Sequence, residues 1–332
     1  MAVVYVKEQG AIIRKHGGRI LVEKDEALLL EIPLRQTDSV AVFGNVQVTT
    51  QALSELLDRG IPLALYTRYG RLKGHLVPDL SKNVPLRVAQ YRAALDAEAS
   101  LEFAKAVVGA KLRNAGRLLA DYRSNYPSDL LASAGEALRN AVERAAAAAN
   151  HGELLGYEGS AAAAYFGAFA AMNRSPLPFD GRRKHPATDP INALLSLGYT
   201  LVMNEIRAAA EGAGMEPHLG FLHKVDYGRP SLALDLLEPF RSPVVDRLTL
   251  RLVNERILTA EDFATRQAGG TPGSVILLPD SFRKYLEAYE AAVSEPRERA
   301  PTGLRDAWRA DVERLAAAIR DGGGFAPYCE GE

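Results

Sequence analysis

Four candidate metal-binding residues, Glu158, His223, Asp235 and Glu238, are distributed between positions 158 and 238. His223 follows a short segment that contains glycine. Asp235 and Glu238 are three residues apart, on one face of a predicted helix. Upstream, Glu158 opens an alanine-rich segment that predicts another helix. Carboxylates combined with an imidazole suit Mn²⁺ or Mg²⁺, and the imidazole favours Mn²⁺.

Each of these residues also has a common structural role. A glutamate at a helix start usually interacts with the helix dipole, a single histidine is more often a hydrogen-bonded core or surface residue, and paired carboxylates usually lie on a solvated face. The leucines around Asp235 and Glu238 favour a metal instead. They make the helix apolar on nearly all sides, which predicts burial, and two buried carboxylates are costly without a cation.

The composition excludes some classes of site. The 332 residues carry 40 basic and 41 acidic side chains, so nucleic-acid binding would need local basic patches rather than bulk charge. Cys329 is the single cysteine, which excludes an intrachain disulfide and a cysteine-based zinc site. The first residues lack the long apolar segment of a leader, and the weakly polar run 159–172 is too short to span a bilayer, so we expect a cytoplasmic protein without membrane contact.

The first 80 residues predict a small β-rich domain. Short apolar segments rich in β-branched residues predict strands, and Gly17 and Gly18 separate two of them at hairpin spacing. Thr49 or Thr50 can cap a helix over 51–59. The predicted strands are 3–6, 11–14, 19–22, 27–32, 40–42, 61–66 and 71–76.

The remaining residues, 81–332, predict a larger and mostly α-helical domain, which makes the fold class α+β. Alanine, leucine, arginine and glutamate dominate there, and Asp189 followed by Pro190 is typical of a helix start. One short strand is predicted at 275–278. The predicted helices are 86–123, 133–155, 158–173, 190–211, 231–240, 243–256, 280–294 and 303–320.

Basic residues are concentrated in one loop. The run Arg182, Arg183 and Lys184 is followed by a histidine and lies among proline and glycine residues. Positive charges spaced along the first long helix are more typical of a solvated face. These helix residues are Arg87, Arg92, Lys105, Lys111, Arg113 and Arg117.

Three segments together resemble the CRISPR-associated spacer integrase, the larger, catalytic subunit of the adaptation machinery. The segments are GYEGSAAAAYF (156–166), RRKHPATDPINALLSLGYTLV (182–202) and LHKVDYGRPSLALDLLEPFRSPVVDRL (222–248). They occur in the family's order and spacing. The β-rich domain followed by a larger helical domain also resembles the family, so the similarity covers essentially the whole chain.

The resemblance implies a role for each candidate residue. Glu158 in YEGS, His223 in LHK and Glu238 in DLLEPFR match the residues that bind one Mn²⁺ or Mg²⁺ in the family, and Asp235 matches an acidic position that supports the site. For DNA contact it favours Arg182, Arg183 and Lys184 of the loop. Lys224 and Arg241, which lie in the same motif as His223 and Glu238, are further candidates for DNA contact.

The activity that the resemblance implies is integration of short DNA duplexes into a CRISPR array. A 3′-hydroxyl of the fragment would attack a phosphodiester at the end of a repeat, and the same chemistry with water would cut branched DNA. The resemblance also implies a homodimer in which the N-terminal sheets form much of the contact between the two protomers. A small ferredoxin-like partner bridges two such dimers.

Three other functions remain open at this point. A stand-alone metal-dependent repair nuclease would use the same ligands as an integrase. A catalytically silent DNA-binding scaffold predicts loss of one ligand, whereas Glu158, His223 and Glu238 are all present. A small-molecule metallohydrolase leaves the basic run at 182–185 unexplained.

Overall fold

The structure is a computed structural model that describes residues 2–77, 83–183, 186–268 and 271–330. The chain divides into two compact units, residues 1–82 and 83–332. The first is built mainly of strands and the second mainly of helices, which confirms the α+β class. Lys184 of the basic loop lies outside the described residues.

The elements of the first unit are β1 (Ala2–Val6), β2 (Ile12–His16), β3 (Arg19–Lys24), β4 (Ala27–Pro33), β5 (Thr37–Phe43), β6 (Gln47–Val48), α1 (Thr50–Asp58), β7 (Leu63–Tyr66) and β8 (Leu72–Leu76). Within residues 2–77 the strands form two four-stranded sheets with orders β1-β5-β7-β8 and β4-β3-β2-β6. β2 and β3 pair antiparallel across Gly17, which has a φ of 56°, so the predicted hairpin is confirmed. A buried apolar core includes Ile13, Ile20, Leu56 and Leu63.

The elements of the second unit are α2 (Val84–Leu95), α3 (Ala97–Asn125), α4 (Asp129–Ala146), α5 (His151–Met172), α6 (Pro190–Gly212), α7 (Ser231–Leu237), α8 (Arg247–Asn254), β9 (Phe263–Ala268), β10 (Thr271–Leu277), α9 (Pro279–Ser294) and α10 (Leu304–Asp321). This unit is organised around one long helix, α3, which packs against α4, α5 and the segment 238–246. Leu118 and Val108 of α3 are fully buried in this packing.

Two predicted helix boundaries are wrong. The predicted helix 86–123 is two helices, because the Asp96 side chain accepts hydrogen bonds from the backbone N–H groups of Glu98 and Ala99 and starts α3 there. The sequence also predicts a break between two helices near residue 156, whereas in the structure the break lies between the end of α4 at Ala146 and the start of α5 at His151. Asn150 caps α5 by accepting from the N–H of Glu153, so α5 begins at His151.

The strand prediction at 275–278 was incomplete. Residues 275–277 belong to β10, which pairs antiparallel with β9, whereas Leu278 is the N-cap of α9. β9 has the sequence FATRQA, which lacks the alternation and the β-branched content that would have indicated a strand.

The chain from residue 231 to 254 follows one helical path that changes its winding three times. Pro239 and Pro243 lack the backbone N–H that an α-helix uses, and they interrupt its regular ladder. The freed carbonyl of Pro239 accepts a hydrogen bond from Asn114 Nδ2 of α3 at 2.7 Å. The path consists of α7, a 3₁₀ turn (Glu238–Phe240), a π-helical segment (Arg241–Asp246) and α8.

A helix needs about 20 mostly apolar residues to cross a lipid bilayer. Over the described ranges of the chain, no helix meets that requirement.

Candidate metal centre

Glu158, His223 and Glu238 line one cavity in the helical unit. They reach it from the middle of α5, from the loop before α7 and from the 3₁₀ turn after α7. The cavity has a volume of about 770 Å³, and Lys111 of α3 also lines it. Asp235, which is 1% exposed, lies behind His223 on α7.

Asp235 fixes the orientation of the histidine ring. Its Oδ1 lies 2.6 Å from His223 Nδ1, and because a carboxylate only accepts, Nδ1 donates. The carboxylate also accepts from the backbone N–H groups of Phe221 at 2.6 Å and Leu222 at 2.9 Å. His223 Nε2 is therefore left with its lone pair, 3.9 Å from Glu238 Oε1. A histidine held in this way by a carboxylate is the usual arrangement at metal sites.

The loop that carries His223 is held close to α7. A Cβ on Gly220 would lie 2.4 Å from Asp235 Oδ2, so only glycine allows this approach. From α2, the buried Gln90 donates to the carbonyls of Glu216 at 2.9 Å and Leu219 at 2.8 Å. The ligand loop is thus anchored from two helices.

Glu238 is a buried carboxylate held in its charged form. Burial alone would raise its pKa, but Arg241 and Lys111, with a smaller effect from His223, outweigh burial and hold the pKa well below its ordinary value. Glu238 Oε2 lies 2.9 Å from Arg241 Nε and 2.7 Å from Lys111 Nζ.

Lys111 connects the two carboxylates of the centre. Its Nζ contacts Glu158 Oε1 as well as Glu238 Oε2. Burial lowers the pKa of Lys111, but Glu238 and Glu158 more than offset that effect and raise it above its ordinary value. Sequence analysis had placed Lys111 on a solvated face. Val107, Val108 and Ala115 lie three or four residues from Lys111, on the same face of the helix, and these apolar neighbours were the signal that it faces inward.

The sequence predicts that Glu158 lies at the start of a helix, and the structure shows that this prediction is wrong. Glu158 is inside α5, which begins seven residues earlier at His151. The helix dipole acts within the first turn, so it is the contact with Lys111, and not the helix N-terminus, that compensates the charge of Glu158.

Comparison with known proteins identifies the family. The family model described as CRISPR associated protein Cas1 matches residues 4–291. The chain belongs to the Cas1 family. The resemblance seen in the three sequence motifs is therefore confirmed.

Curated Cas1 relatives align over nearly the full chain. A CRISPR-associated endonuclease Cas1 of Rhodospirillum rubrum is 37% identical over 319 residues, covering 91% of this chain and 90% of the relative. One of Thermus thermophilus is 37% identical over 311 residues, with coverage of 93% and 90%.

Solved structures share the fold. A Cas1 protein from Thermotoga maritima superposes with a TM-score of 0.82 at 23% identity, with full coverage of both chains. A casposase bound to its integration product gives 0.84 at 23% identity and covers 98% of this chain and 93% of the casposase. A chain of a Cas6-RT-Cas1–Cas2 complex gives 0.84 at 22% identity, covering all of this chain and 36% of that one.

The donor types of this Cas1-family chain fit a hard or borderline divalent ion. Two carboxylates and one imidazole nitrogen face the same cavity, and the imidazole is oriented by Asp235. Within the part of the chain that the structure describes, no three His, Cys, Asp or Glu side chains are close enough together to hold an ion as they stand. Lys111 explains why the carboxylates of Glu158 and Glu238 are held apart, because its ammonium group lies between them.

Two of the predicted DNA-contacting arginines line the cavity, Arg182 and Arg241. Arg182 Nη1 donates to Asn192 Oδ1 at 2.7 Å, and the buried Asn192 also accepts from the backbone N–H of Arg183 at 2.9 Å. The basic loop is thus tied to the start of α6.

The other predicted DNA contacts lie outside the cavity or outside the described chain. Arg183 is exposed and pairs with Asp180 at 3.0 Å. Lys224 is exposed in the loop that follows His223. Lys184 is not among the described residues.

Asp246 is a cavity residue that the sequence analysis did not select. Tyr165 Oη donates to its Oδ2 at 2.7 Å, and Tyr199 Oη donates to its Oδ1. Burial raises the pKa of Asp246, although the two tyrosines and Arg241 oppose the shift. An acidic residue among valine and leucine neighbours was a usable signal, the same one that had selected Asp235.

Proposed function

We propose that this chain is a DNA endonuclease and integrase that depends on Mn²⁺ or Mg²⁺ and inserts short DNA into a CRISPR array. The observation that carries the proposal is the convergence of Glu158, His223 and Glu238, which are remote in sequence, on one cavity of a Cas1-family chain. Curated relatives are described as endonucleases, and a casposase of the same fold was solved with its integration product.

In this proposal the metal is held by Glu158, His223 Nε2 and Glu238. When bound, Mn²⁺ or Mg²⁺ supplies Lewis-acid stabilisation of charge at the phosphate and lowers the pKa of an attacking hydroxyl. Asp235 keeps the Nε2 lone pair of His223 directed at the centre by accepting from Nδ1. Arg241, half-buried beside Glu238, places positive charge on the cavity wall.

The proposed reaction exchanges one phosphodiester for another. The 3′-hydroxyl oxygen of the incoming fragment bonds to phosphorus while the bond from phosphorus to the 3′-oxygen of the target strand breaks. The attacking hydroxyl loses its proton and the leaving oxygen gains one. With water as nucleophile the same centre cuts branched DNA. The bonds broken and formed are alike, so the protein's main contribution is positioning.

We propose that DNA follows the basic residues around the cavity. Arg182 and Arg241 line the cavity itself, whereas Arg183 and Lys224 belong to the loops that precede α6 and α7. Lys184, which follows Arg183 in the sequence, is included in the proposal. Phosphate contacts by such residues position DNA without reading its sequence.

For assembly, we propose that residues 1–80 form a dimerisation domain, that residues 81–332 form the catalytic domain, and that a small ferredoxin-like protein joins two dimers. β4 is the edge strand of its sheet and exposes Leu28, Leu29 and Leu30 at 55%, 48% and 47%, which favours coverage by a partner. A fold neighbour comes from a complex of Cas1 with Cas2.

Strand joining tests the proposed function. The chain, with and without the small partner, is incubated with a short duplex bearing free 3′-hydroxyls, a supercoiled plasmid that carries a leader and repeat, and Mn²⁺ or Mg²⁺. We expect covalent joining that EDTA abolishes and that Glu158→Ala and His223→Ala reduce at least a hundredfold. Glu143→Gln, at an exposed position of α4, is the matched control.

Two outcomes would contradict this assignment. Metal-dependent cutting of branched DNA without joining, even with the partner present, would favour a stand-alone repair nuclease. Joining that survives both substitutions would remove Glu158 and His223 from the centre.

A further inference from the structure

Lys111 occupies the position between the two carboxylates that the proposed metal would share. Its Nζ lies 2.7 Å from Glu238 Oε2 and also contacts Glu158 Oε1, and the lysine side chain is only 18% exposed. One ammonium group therefore compensates both glutamates. Arg241 approaches Glu238 Oε2 from another direction, at 2.9 Å.

A divalent ion and this ammonium group compete for the same two carboxylates. Lys111 Nζ occupies one oxygen of each, Glu158 Oε1 and Glu238 Oε2, and it lies in the space between the two groups that a shared ion would enter. A dication beside an ammonium group in a partly buried site is strongly repelled, since two like charges a few ångströms apart interact much more strongly there than in water. Lysine is a flexible point charge on a four-carbon stem, so the group can move without moving the helix.

We infer that Lys111 is an exchangeable internal cation: it holds Glu158 and Glu238 together until the metal binds, and it then moves to a DNA phosphate in the same cavity. The inference rests on the proposed metal centre. Lys111, Arg182 and Arg241 line one continuous cavity, so a displaced ammonium group remains next to the basic wall proposed to face DNA.

This arrangement has a consequence for metal affinity. With Lys111 present, the metal must displace an ammonium group before it reaches both carboxylates, which weakens binding in the absence of DNA. When a DNA phosphate is available, the displaced ammonium group has a new partner. The protein with DNA bound should therefore bind the metal more tightly, and the protein with metal bound should bind DNA more tightly. Such coupling is reciprocal by thermodynamic linkage.

Metal binding without DNA is the first test. Mn²⁺ is titrated calorimetrically into the full chain, Lys111→Met, Glu158→Gln and the control Lys105→Met, which changes another lysine of α3 that pairs with Glu102. We expect Lys111→Met to bind Mn²⁺ roughly tenfold more tightly than the unchanged chain, because a competing charge is removed. Lys105→Met should match the unchanged chain. Equal or weaker binding by Lys111→Met would overturn the inference.

Melting temperatures provide a test that still applies if Lys111→Met is unstable. In EDTA, Lys111→Met leaves Glu158 and Glu238 without their shared cation, so we expect a lower melting temperature than that of the unchanged chain. Addition of Mn²⁺ should raise the melting temperature of Lys111→Met by more degrees than it raises the melting temperature of the unchanged chain. A variant that stays unfolded with Mn²⁺ present would overturn the exchange, because Lys111 would then be needed alongside the ion.

DNA affinity is the second test. Binding of a short duplex is measured against salt concentration, with Mn²⁺ and with EDTA. In Mn²⁺, Lys111→Met should lower the salt slope by about one phosphate contact relative to the unchanged chain, and in EDTA the two slopes should agree. Equal slopes in Mn²⁺ would overturn the transfer to phosphate.

The controls separate failure of this inference from failure of the metal centre. If Glu158→Gln abolishes Mn²⁺ binding while Lys111→Met binds like the unchanged chain, only the inference fails. If the unchanged chain and Glu158→Gln bind Mn²⁺ equally, or neither binds it, the proposed centre fails and the inference with it.

Discussion

At the scale of single residues, the centre depends on partners that sequence spacing does not reveal. Asp235 could be selected from its leucine neighbours, but its four donors could not, because three of them are backbone groups of a loop more than ten residues away in sequence. Lys111 was assigned to solvent because a lone lysine on a helix usually lies there. Only the packing of α3 against α5 and the 3₁₀ turn brings it between Glu158 and Glu238.

Asp235→Asn tests the orientation of the histidine. An amide offers one accepting oxygen where the carboxylate offers two, so some of the donors from Phe221, Leu222 and His223 lose their acceptor. We expect Mn²⁺ affinity to fall about 10- to 100-fold, measured by calorimetric titration. Asp226→Asn, in the same loop but exposed, should leave affinity unchanged. Unchanged affinity in Asp235→Asn would mean that His223 does not need this support.

At the scale of secondary-structure elements, the proline-interrupted path from α7 to α8 determines where Glu238 points. Pro243 cannot donate to the carbonyl four residues earlier, and Asn114 of α3 donates to that carbonyl instead. Asn114 also donates to the carbonyl of Tyr328 at 3.1 Å and accepts from the N–H of Glu330 at 2.6 Å. One buried amide thus joins the ligand turn to the C-terminal segment.

Replacement of Asn114 by leucine tests this connection. The change leaves buried backbone groups of Pro239, Tyr328 and Glu330 without their partner, at a cost of about 1–3 kcal/mol for such a group. We expect the free energy of unfolding in urea to fall by roughly 2–4 kcal/mol, since the groups partly relax towards water. Asn125→Leu, at the exposed end of α3, should change it by less than about 0.5 kcal/mol. Equal effects of the two changes would contradict a special role for Asn114.

The element boundaries show which signals a sequence carries. Strands in residues 2–77 were predicted well because apolar alternation and the Gly17 turn are local signals. The start of α5 was misplaced because the run from Leu154 to Ala164 is helical throughout, and Asn150, the actual cap, was overlooked. β9 was missed because its pairing with β10, and not its composition, makes it a strand.

At the scale of the whole molecule, the two-part α+β architecture was predictable and the anchoring of the C-terminal segment was not. Asp311 of α10 is fully buried, accepts from the backbone N–H of Tyr328 at 2.9 Å and contacts Arg314. Burial raises its pKa from 3.8 to about 6, although the Tyr328 N–H and Arg314 oppose the shift.

This raised pKa predicts how stability changes with pH. Between about pH 4 and pH 6 the folded chain binds more protons at Asp311 than the unfolded chain, so the contribution of this residue to stability is lost as pH rises. The loss amounts to roughly 3 kcal/mol. Asp311→Asn should remove this pH-dependent loss. In urea unfolding at pH 4, 5, 6 and 7, the free energy of unfolding of the variant should therefore increase relative to that of the unchanged chain as pH rises. Asp306→Asn, exposed on the same helix, is the control; a pH-independent difference for Asp311→Asn would contradict the assignment.

The most direct test of the central claim is the location of the metal. Crystals of the chain soaked in Mn²⁺ are measured for anomalous diffraction at the manganese edge. The account predicts one strong peak at coordination distance from Glu158, His223 Nε2 and Glu238, with Lys111 displaced from between the two carboxylates. A strong peak elsewhere, or no peak at this position with Lys111 still bridging the carboxylates, would contradict it.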